Sequence, residues 1–106
     1  MDIITSTTDE IPGKKVVKIL GIAKGNTVRS RNIGRDIGAS LKNIIGGEIK
    51  SYTDMISHAR DEAYNRMVNE AIEMGADAVI NVRFMTSNVM QGASELLAYG
   101  TAVKLK

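Results

Sequence analysis

The chain contains no cysteine, which excludes disulfide bridges and thiolate chemistry from its stability and its function. It also has only one proline and one histidine among 106 residues. No apolar run approaches the roughly 20 residues that a membrane-spanning helix needs, and no apolar signal segment follows Met1. We therefore expect a cytoplasmic protein that makes no contact with a membrane.

Aromatic side chains are also scarce, since the chain has three tyrosines, one phenylalanine and no tryptophan. The core must then be built from aliphatic and methionine side chains. A chain of this length forms one domain, here residues 1–106, and leaves roughly a third of its unfolded surface exposed after folding. A partner subunit would help to cover that surface.

The longest regular pattern in the chain predicts an amphipathic helix before a strand, between residues 46 and 81. Ser51 is the predicted N-cap, with Asp54 three residues later, and Gly75 is the predicted C′ residue. Apolar residues recur every three or four positions and form one continuous stripe. The stripe consists of Tyr52, Ile56, Ala59, Ala63, Met67, Ala71 and Met74.

Before this helix, the sequence predicts two strands and a second helix. Residues 3–6 and 15–24 are β-prone, and Pro12-Gly13 separates them as a turn. Residues 25–31 contain Gly and Asn and are predicted to form a loop. Apolar residues at helical spacing from Asn32 predict a helix that ends at Gly46-Gly47.

After the long helix, the sequence predicts two antiparallel strands over residues 76–85 and 96–105, joined by a loop over 87–93. In the first strand, alternate residues from Ala78 to Phe84 are predicted to face inward. In the second strand, the small residues Ala98, Gly100 and Ala102 share one face. We expect that face to receive the alanine ridge of the long helix.

The order strand, strand, helix, helix, strand, strand predicts an α+β fold, a mostly antiparallel sheet with two helices on one face. The other face and the edges of this sheet carry more aliphatic side chains than a soluble monomer needs. These residues are Ile3, Ile4, Val16, Val17, Ile19 and Ile22. We therefore expect the chain to associate with copies of itself.

Several segments of the chain form a recognisable combination. They are Ile45-Gly46-Gly47, Tyr52, His58 to Ala63, Met74 to Ile80 and Tyr99 to Val103. Together they resemble the YbjQ-like family of small bacterial and archaeal proteins. The resemblance implies a dodecin-like subunit that assembles into a ring of five, a homopentamer, with short strands that tie neighbours together. It implies little about activity, because the family is uncharacterised and carries only a label of heavy-metal binding.

A divalent or soft metal ion would need soft or clustered ligands, and His58, Asp61 and Glu62 are the best candidates. Their spacing of i, i+3 and i+4 places them on one helix face, and a ring would repeat them. A solvated charged face is the simpler explanation. Of the six methionines, Met55, Met67 and Met74 lie on or beside the apolar stripe, so core packing explains these three better than Cu(I) binding. Met85 and Met90 flank the predicted loop, and core packing does not explain them as readily.

Basic residues are concentrated in the first half of the chain, where nine Lys and Arg oppose five Asp and Glu. Arg29, Arg31 and Arg35 are the candidate anion-binding residues, next to backbone amides of the predicted loop. No aromatic residue alternates with them, and the chain has no recognised nucleic-acid motif. Nucleic acid is therefore not an expected partner.

No sequence motif indicates catalysis, because the chain lacks a nucleophile elbow, a zinc-protease helix and a nucleotide-binding glycine loop. Acid-base chemistry would depend on carboxylates such as Glu62, Asp77 or Glu95. The sequence thus favours a non-enzymatic oligomer that binds a ligand or has a structural role. Heavy-metal binding at sites repeated by symmetry, and anion or nucleic-acid binding through the basic first half, are the alternatives.

Overall fold

A computed structural model describes residues 3–30, 47–90 and 93–106, and these form a four-stranded mixed sheet with one long helix. No helix in these ranges is both long and apolar enough to cross a membrane. The elements are β1 (Ile4–Thr5), β2 (Val16–Ser30), α1 (Gly47–Glu73), β3 (Ala78–Met90) and β4 (Ala93–Leu105).

The strands lie in the order β1-β3-β4-β2, so β4 is central and β2 forms one edge. β4 pairs antiparallel with both β3 and β2, whereas β1 pairs parallel with β3. The predicted α+β fold with a mostly antiparallel sheet is confirmed. The second helix predicted from Asn32 to Gly46 falls outside the described residues, and one chain does not test the pentamer.

The predicted loop over residues 25–31 is wrong where the structure describes it, because β2 continues to Ser30. Gly25 and Thr27 are buried under α1. A Cβ at Gly25 would overlap the Ala63 carbonyl oxygen and the Met67 backbone nitrogen, so only glycine fits there. The Thr27 hydroxyl donates a hydrogen bond to the Ala59 carbonyl oxygen at 3.0 Å. These turn-like residues therefore serve close packing of a strand against a helix.

The predicted loop over 87–93 is likewise wrong in its described part, since β3 runs to Met90 and β4 begins at Ala93. The start of α1 also differs from the prediction. The helix begins at Gly47, so Ser51 lies inside it and is not its N-cap. The first turn of the helix therefore lies N-terminal to the predicted cap.

The predicted end of α1 at Gly75 is confirmed by a Schellman motif. Gly75 has a φ of +85°, which glycine adopts without steric cost. Its N–H donates to the Ile72 carbonyl at 3.0 Å, and the Ala76 N–H donates to the Ala71 carbonyl at 3.0 Å. This motif directs the chain straight into β3.

The alternation predicted for residues 78–84 is wrong because β3 contains a bulge at Asn81. Asn81 has a φ of 55°, and the register with β4 shifts between Ile80 and Arg83. The shift places both Val79 and Val82 in the core beneath α1. Phe84, predicted to be buried, remains 47% exposed.

The main core lies between α1 and the sheet and consists largely of small side chains. Ala63 and Ala71 of the helix pack in one cluster with Ala98 and Ala102 of β4, as the sequence predicts. A second, smaller core lies on the other side of the sheet, under the loop between β1 and β2. It consists of Ala78, Ile80 and Val103, with Ile11, Val16 and Leu105 around them.

Both long sides of the sheet have open edges in the part of the chain that the structure describes. None of the other described strands pairs with the outer side of β2. β3 pairs with β1 only at Ala78 and Val79, and its Asn81 and Val82 N–H groups donate to carbonyls of the segment after β1. From Arg83 to Met90, none of the described strands lies beside the outer edge of β3.

Candidate functional site

The three predicted metal ligands lie on α1, but they do not converge on a shared point. Glu62 Oε1 accepts a hydrogen bond from Arg66 Nη2 at 2.6 Å, and Oε2 accepts one from Arg29 Nη2. His58 and Asp61 are exposed. Across the described ranges, no three His, Asp or Glu side chains are grouped so that they could hold a metal ion. The ring-repeated version of this site stays a prediction.

The two arginines around Glu62 form an ion-pair cluster that joins α1 to β2. The hydrogen bond from Arg29 is the largest cause that lowers the pKa of Glu62, so this carboxylate stays ionised. Arg66 Nη1 also donates to the Asn26 carbonyl oxygen at 2.7 Å. The charge of Arg29, a predicted anion ligand, is thus matched by Glu62. Arg31 and Arg35 lie outside the described residues, so the anion site stays a prediction.

Asp77, a candidate acid-base group, is occupied by structural contacts. Its Oδ2 accepts from the Leu105 backbone N–H at 2.9 Å, and its Oδ1 accepts from Lys104 Nζ at 3.3 Å. The Leu105 contact is the largest cause that lowers its pKa. Lys104 Nζ also donates to the Gly75 carbonyl oxygen. Asp77 therefore fastens the exit of α1 to the end of β4.

The sheet face opposite α1, here called the outer face, has a depression of about 280 Å³ beside the Asn81 bulge. Its described lining combines residues that carry an amide, a guanidinium and two hydroxyls with an aliphatic side chain, and none of these lining residues is acidic. Its lining residues are Ile22, Asn81, Arg83, Tyr99, Gly100 and Thr101. We call this site the outer-face depression.

Arg83 is held at the rim of the depression by backbone contacts. Its Nη1 donates to the Thr7 carbonyl at 3.0 Å and to the Val82 carbonyl at 2.9 Å. Gly100 is required on the other side of β4, because a Cβ there would lie 2.6 Å from Val79 Cγ1. The bulge and this close contact together shape the floor of the depression.

A larger concavity, of about 780 Å³, lies within the loop between β1 and β2, over residues 8–16. Its turn is closed by the Lys14 N–H, which donates to the Ile11 carbonyl at 3.0 Å, with Gly13 at a φ of +79°. Acidic Asp9 and Glu10 and basic Lys14 and Lys15 all line it, so their charges offset one another. This mixture gives the concavity no preference for an anion or a cation.

Sequence reasoning did not find the outer-face depression, although part of the pattern was visible. Tyr99 and Thr101 alternate with the small residues that face α1, so they had to lie on the outer face. The pairing of Tyr99 with Arg83 depends on the bulge, which no local pattern in β3 revealed.

Comparison with known proteins places the whole chain in one family. The YbjQ family model, described as "Putative heavy-metal-binding", matches residues 3–106. A UPF0145 protein of Methanoculleus marisnigri is 61% identical over 102 residues, which cover 96% of this chain and 95% of that protein. A UPF0145 protein of Archaeoglobus fulgidus is 59% identical and covers 99% of this chain and 97% of its own length.

A crystal structure with a similar fold comes from Pediococcus pentosaceus, a protein of unknown function in the DUF74 family. Its TM-score is 0.66 at 14% identity, with 98% of both chains covered, so it shares the fold. The biochemical function of these relatives is not established. The match over residues 3–106 and the identities of 59% and 61% show that this chain belongs to the YbjQ family.

Proposed function

We propose that this protein works as a non-enzymatic homo-oligomer, a cytoplasmic ring in which the open edges of the sheet pair between neighbouring copies. The open edges of β2 and of the distal part of β3 carry this proposal. An open edge presents unpaired N–H and C=O groups that are ready to accept another strand.

The composition of the β3 edge supports pairing rather than protection. Soluble proteins guard open edges with charges, prolines or very short strands. The stretch from Phe84 to Met90 has no charged residue and no proline, and it is seven residues long. Four of its side chains are large, apolar and about half or more exposed. They are Phe84, Met85, Val89 and Met90.

The positions of the edges favour a ring over a two-fold dimer. β2 and β3 flank the central β4 on opposite sides. Pairing β2 of one copy with β3 of the next is therefore a head-to-tail contact, which closes into a ring when the rotation permits. The family resemblance favours five copies. In such a ring, the ligand-binding or structural role belongs to surfaces that assembly creates.

Light scattering after size-exclusion chromatography tests this proposal. We expect a particle near five times the 11.5 kDa of one chain. Val28→Lys and Val89→Lys each place a charge on an exposed apolar position of an edge strand, and each should reduce the mass. Asn69→Lys adds the same charge at an exposed helix position and should leave it unchanged. A stable 11.5 kDa particle for the unmodified chain would refute the ring.

Heavy-metal binding is the second candidate, favoured by the description of the matching family model. Glu62 is engaged by two arginines, so a metal would depend on exposed His58 and Asp61 from neighbouring copies. Calorimetric titration with Zn²⁺, Cu²⁺ and Ni²⁺ tests this candidate. His58→Ala should abolish the binding heat, and equal heats from both proteins would exclude His58 as a ligand.

A further inference from the structure

The outer-face depression lies beside a row of three residues that are far apart in the sequence but adjacent in the sheet. In the antiparallel register, Tyr99 of β4 stands directly opposite Lys24 of β2 and directly opposite Arg83 of β3. Residues directly opposite one another project from the same face, with Cβ atoms about 5 Å apart. Tyr99 is therefore flanked on both sides by a cationic residue.

The charges in this row are positive, since Lys24 and Arg83 flank Tyr99. Glu95 is the acidic residue of β4 on the same face, four positions from Tyr99, and its Oε2 accepts a hydrogen bond from Asn26 Nδ2 at 3.1 Å. Within ranges 3–30, 47–90 and 93–106, no acidic side chain lines the depression itself. Lys24 and Arg83 thus give this part of the face a positive potential that attracts an anion.

The polar groups of the depression suit a flat oxyanion. Arg83 uses Nη1 for its two backbone contacts, and among the contacts that the structure describes, its Nη2 and Nε make none. A guanidinium fork binds a carboxylate through two parallel hydrogen bonds. The Asn81 amide and the Tyr99 and Thr101 hydroxyls line the same space and can donate to the same ligand.

The remaining wall is apolar and open. Ile22 is 67% exposed at the edge of the depression, opposite Thr101 in the register. The phenol ring of Tyr99 offers a second apolar surface, and a planar group gains by stacking on such a ring. A volume of about 280 Å³ is just below the usual range of ligand pockets, so it suits a small ligand of one ring.

The backbone at this site adds an independent observation. Asn81 adopts a φ of 55°, the one positive φ of a non-glycine residue in the described chain. Asparagine tolerates this conformation better than most residues, but the conformation still costs free energy. Bulges and positive-φ residues recur next to binding sites, where they redirect side chains. Here the bulge brings Arg83 into register with Tyr99.

We propose that the outer-face depression binds a small planar organic anion, with Arg83 and Lys24 holding its carboxylate and Tyr99 and Ile22 covering its ring. This site is formed within one chain, so it does not depend on the proposed ring.

Titration calorimetry with benzoate tests the site, because benzoate combines one carboxylate with one ring. Acetate lacks the ring and benzamide lacks the charge, so both should bind at least roughly tenfold more weakly. Lys24→Gln and Arg83→Gln should each weaken benzoate binding by about tenfold, and Tyr99→Leu by a similar factor. Arg60→Gln, at an exposed position on α1, is the matched charge control and should bind as the unmodified protein does.

Arg83 also holds the Thr7 carbonyl, so Lys24→Gln keeps the test valid if Arg83→Gln impairs folding. Absence of benzoate binding at millimolar concentration, or equal affinity in Lys24→Gln and Arg60→Gln, would overturn the proposal. Light scattering on the same samples separates the two proposals. If the protein is a monomer and binds benzoate, only the ring proposal is refuted. If it forms a ring and does not bind benzoate, only the anion-site proposal is refuted.

Discussion

The two faces of the sheet differ in which side chains they bury. Small side chains are buried on the face under α1, and several large aliphatic side chains are exposed on the other face. Under α1, the buried residues are mainly alanines, and Ala63, Ala71, Ala98 and Ala102 are fully or almost fully inaccessible. On the uncovered part of the sheet, the large aliphatic residues are the exposed ones. These include Val17 at 52%, Ile19 at 68%, Ile22 at 67% and Val28 at 54%.

This contrast shows that helix proximity, rather than hydrophobicity, selects the residues of the main core. At Gly25 the helix backbone comes so close that no Cβ fits between α1 and β2. Small residues then gain dispersion contacts with backbone atoms, and larger ones would overpack the space. Among the described residues, much of the large aliphatic surface of the sheet therefore lies outside this core.

Gly25→Ala should produce the largest loss of stability, because its methyl group would overlap backbone atoms that cannot move independently of α1. We expect the free energy of unfolding in urea to fall by about 3 kcal/mol or more. Gly75→Ala is the control, since a Cβ there meets nothing within 4 Å and only the positive φ is penalised. It should cost about 1 kcal/mol. Equal losses would show that α1 does not contact β2 this closely.

Ala63→Leu should have the next largest effect, because Ala63 is fully buried between the helix and the sheet. Forcing a larger side chain into this contact should lower the free energy of unfolding by about 2 kcal/mol. Asn65→Leu, two residues along α1 and exposed, should change it by less than about 0.5 kcal/mol. A loss below about 1 kcal/mol for Ala63→Leu would contradict tight packing of the alanine ridge.

Ile22→Ser tests the other side of the contrast. Because Ile22 is 67% exposed, its replacement should change the free energy of unfolding by less than about 0.5 kcal/mol. The same variant should bind benzoate more weakly than the unmodified protein. A stability loss above about 2 kcal/mol would mean that another copy covers this face and that the depression is not open to a ligand.

The smallest effect should come from pH, through the ion-pair cluster between α1 and β2. The pKa of Glu62 lies below its ordinary value of 4.5 in the folded chain, chiefly because Arg29 donates a hydrogen bond to it. Its contribution to stability is therefore present above about pH 4.5 and is lost as the pH falls through the lowered pKa. Urea midpoints measured between pH 7 and pH 3 should fall less steeply for Glu62→Gln. High salt should reduce this difference, since it screens the pair.

The long helix and its end could be predicted because their causes are local. The apolar stripe follows the helical period, and Gly75 supplies the one conformation that a Schellman motif needs. The extension of β2 through Gly25 and Thr27 could not be predicted in the same way. Glycine and threonine in that segment resemble a loop, and only contact with α1 explains why they lie in a strand.

The candidate site was hidden for a related reason. The bulge at Asn81 depends on carbonyl groups of Thr8 and Ser6, which lie more than 70 positions earlier in the sequence. Its register then brings together Lys24, Arg83 and Tyr99, which no local window contains. The predicted ligands His58, Asp61 and Glu62 did share a window, yet Glu62 forms ion pairs with Arg29 and Arg66 while the other two remain exposed.

The central position of β4 also determines when this fold can be completed during synthesis. β2 and β3 are made earlier, yet they do not pair with each other in the sheet, because β4 lies between them. Until the ribosome has made β4, the apolar face of α1 lacks part of its floor and the nascent strands have exposed edges. Chaperone contact or premature association with another nascent chain is therefore concentrated in that interval.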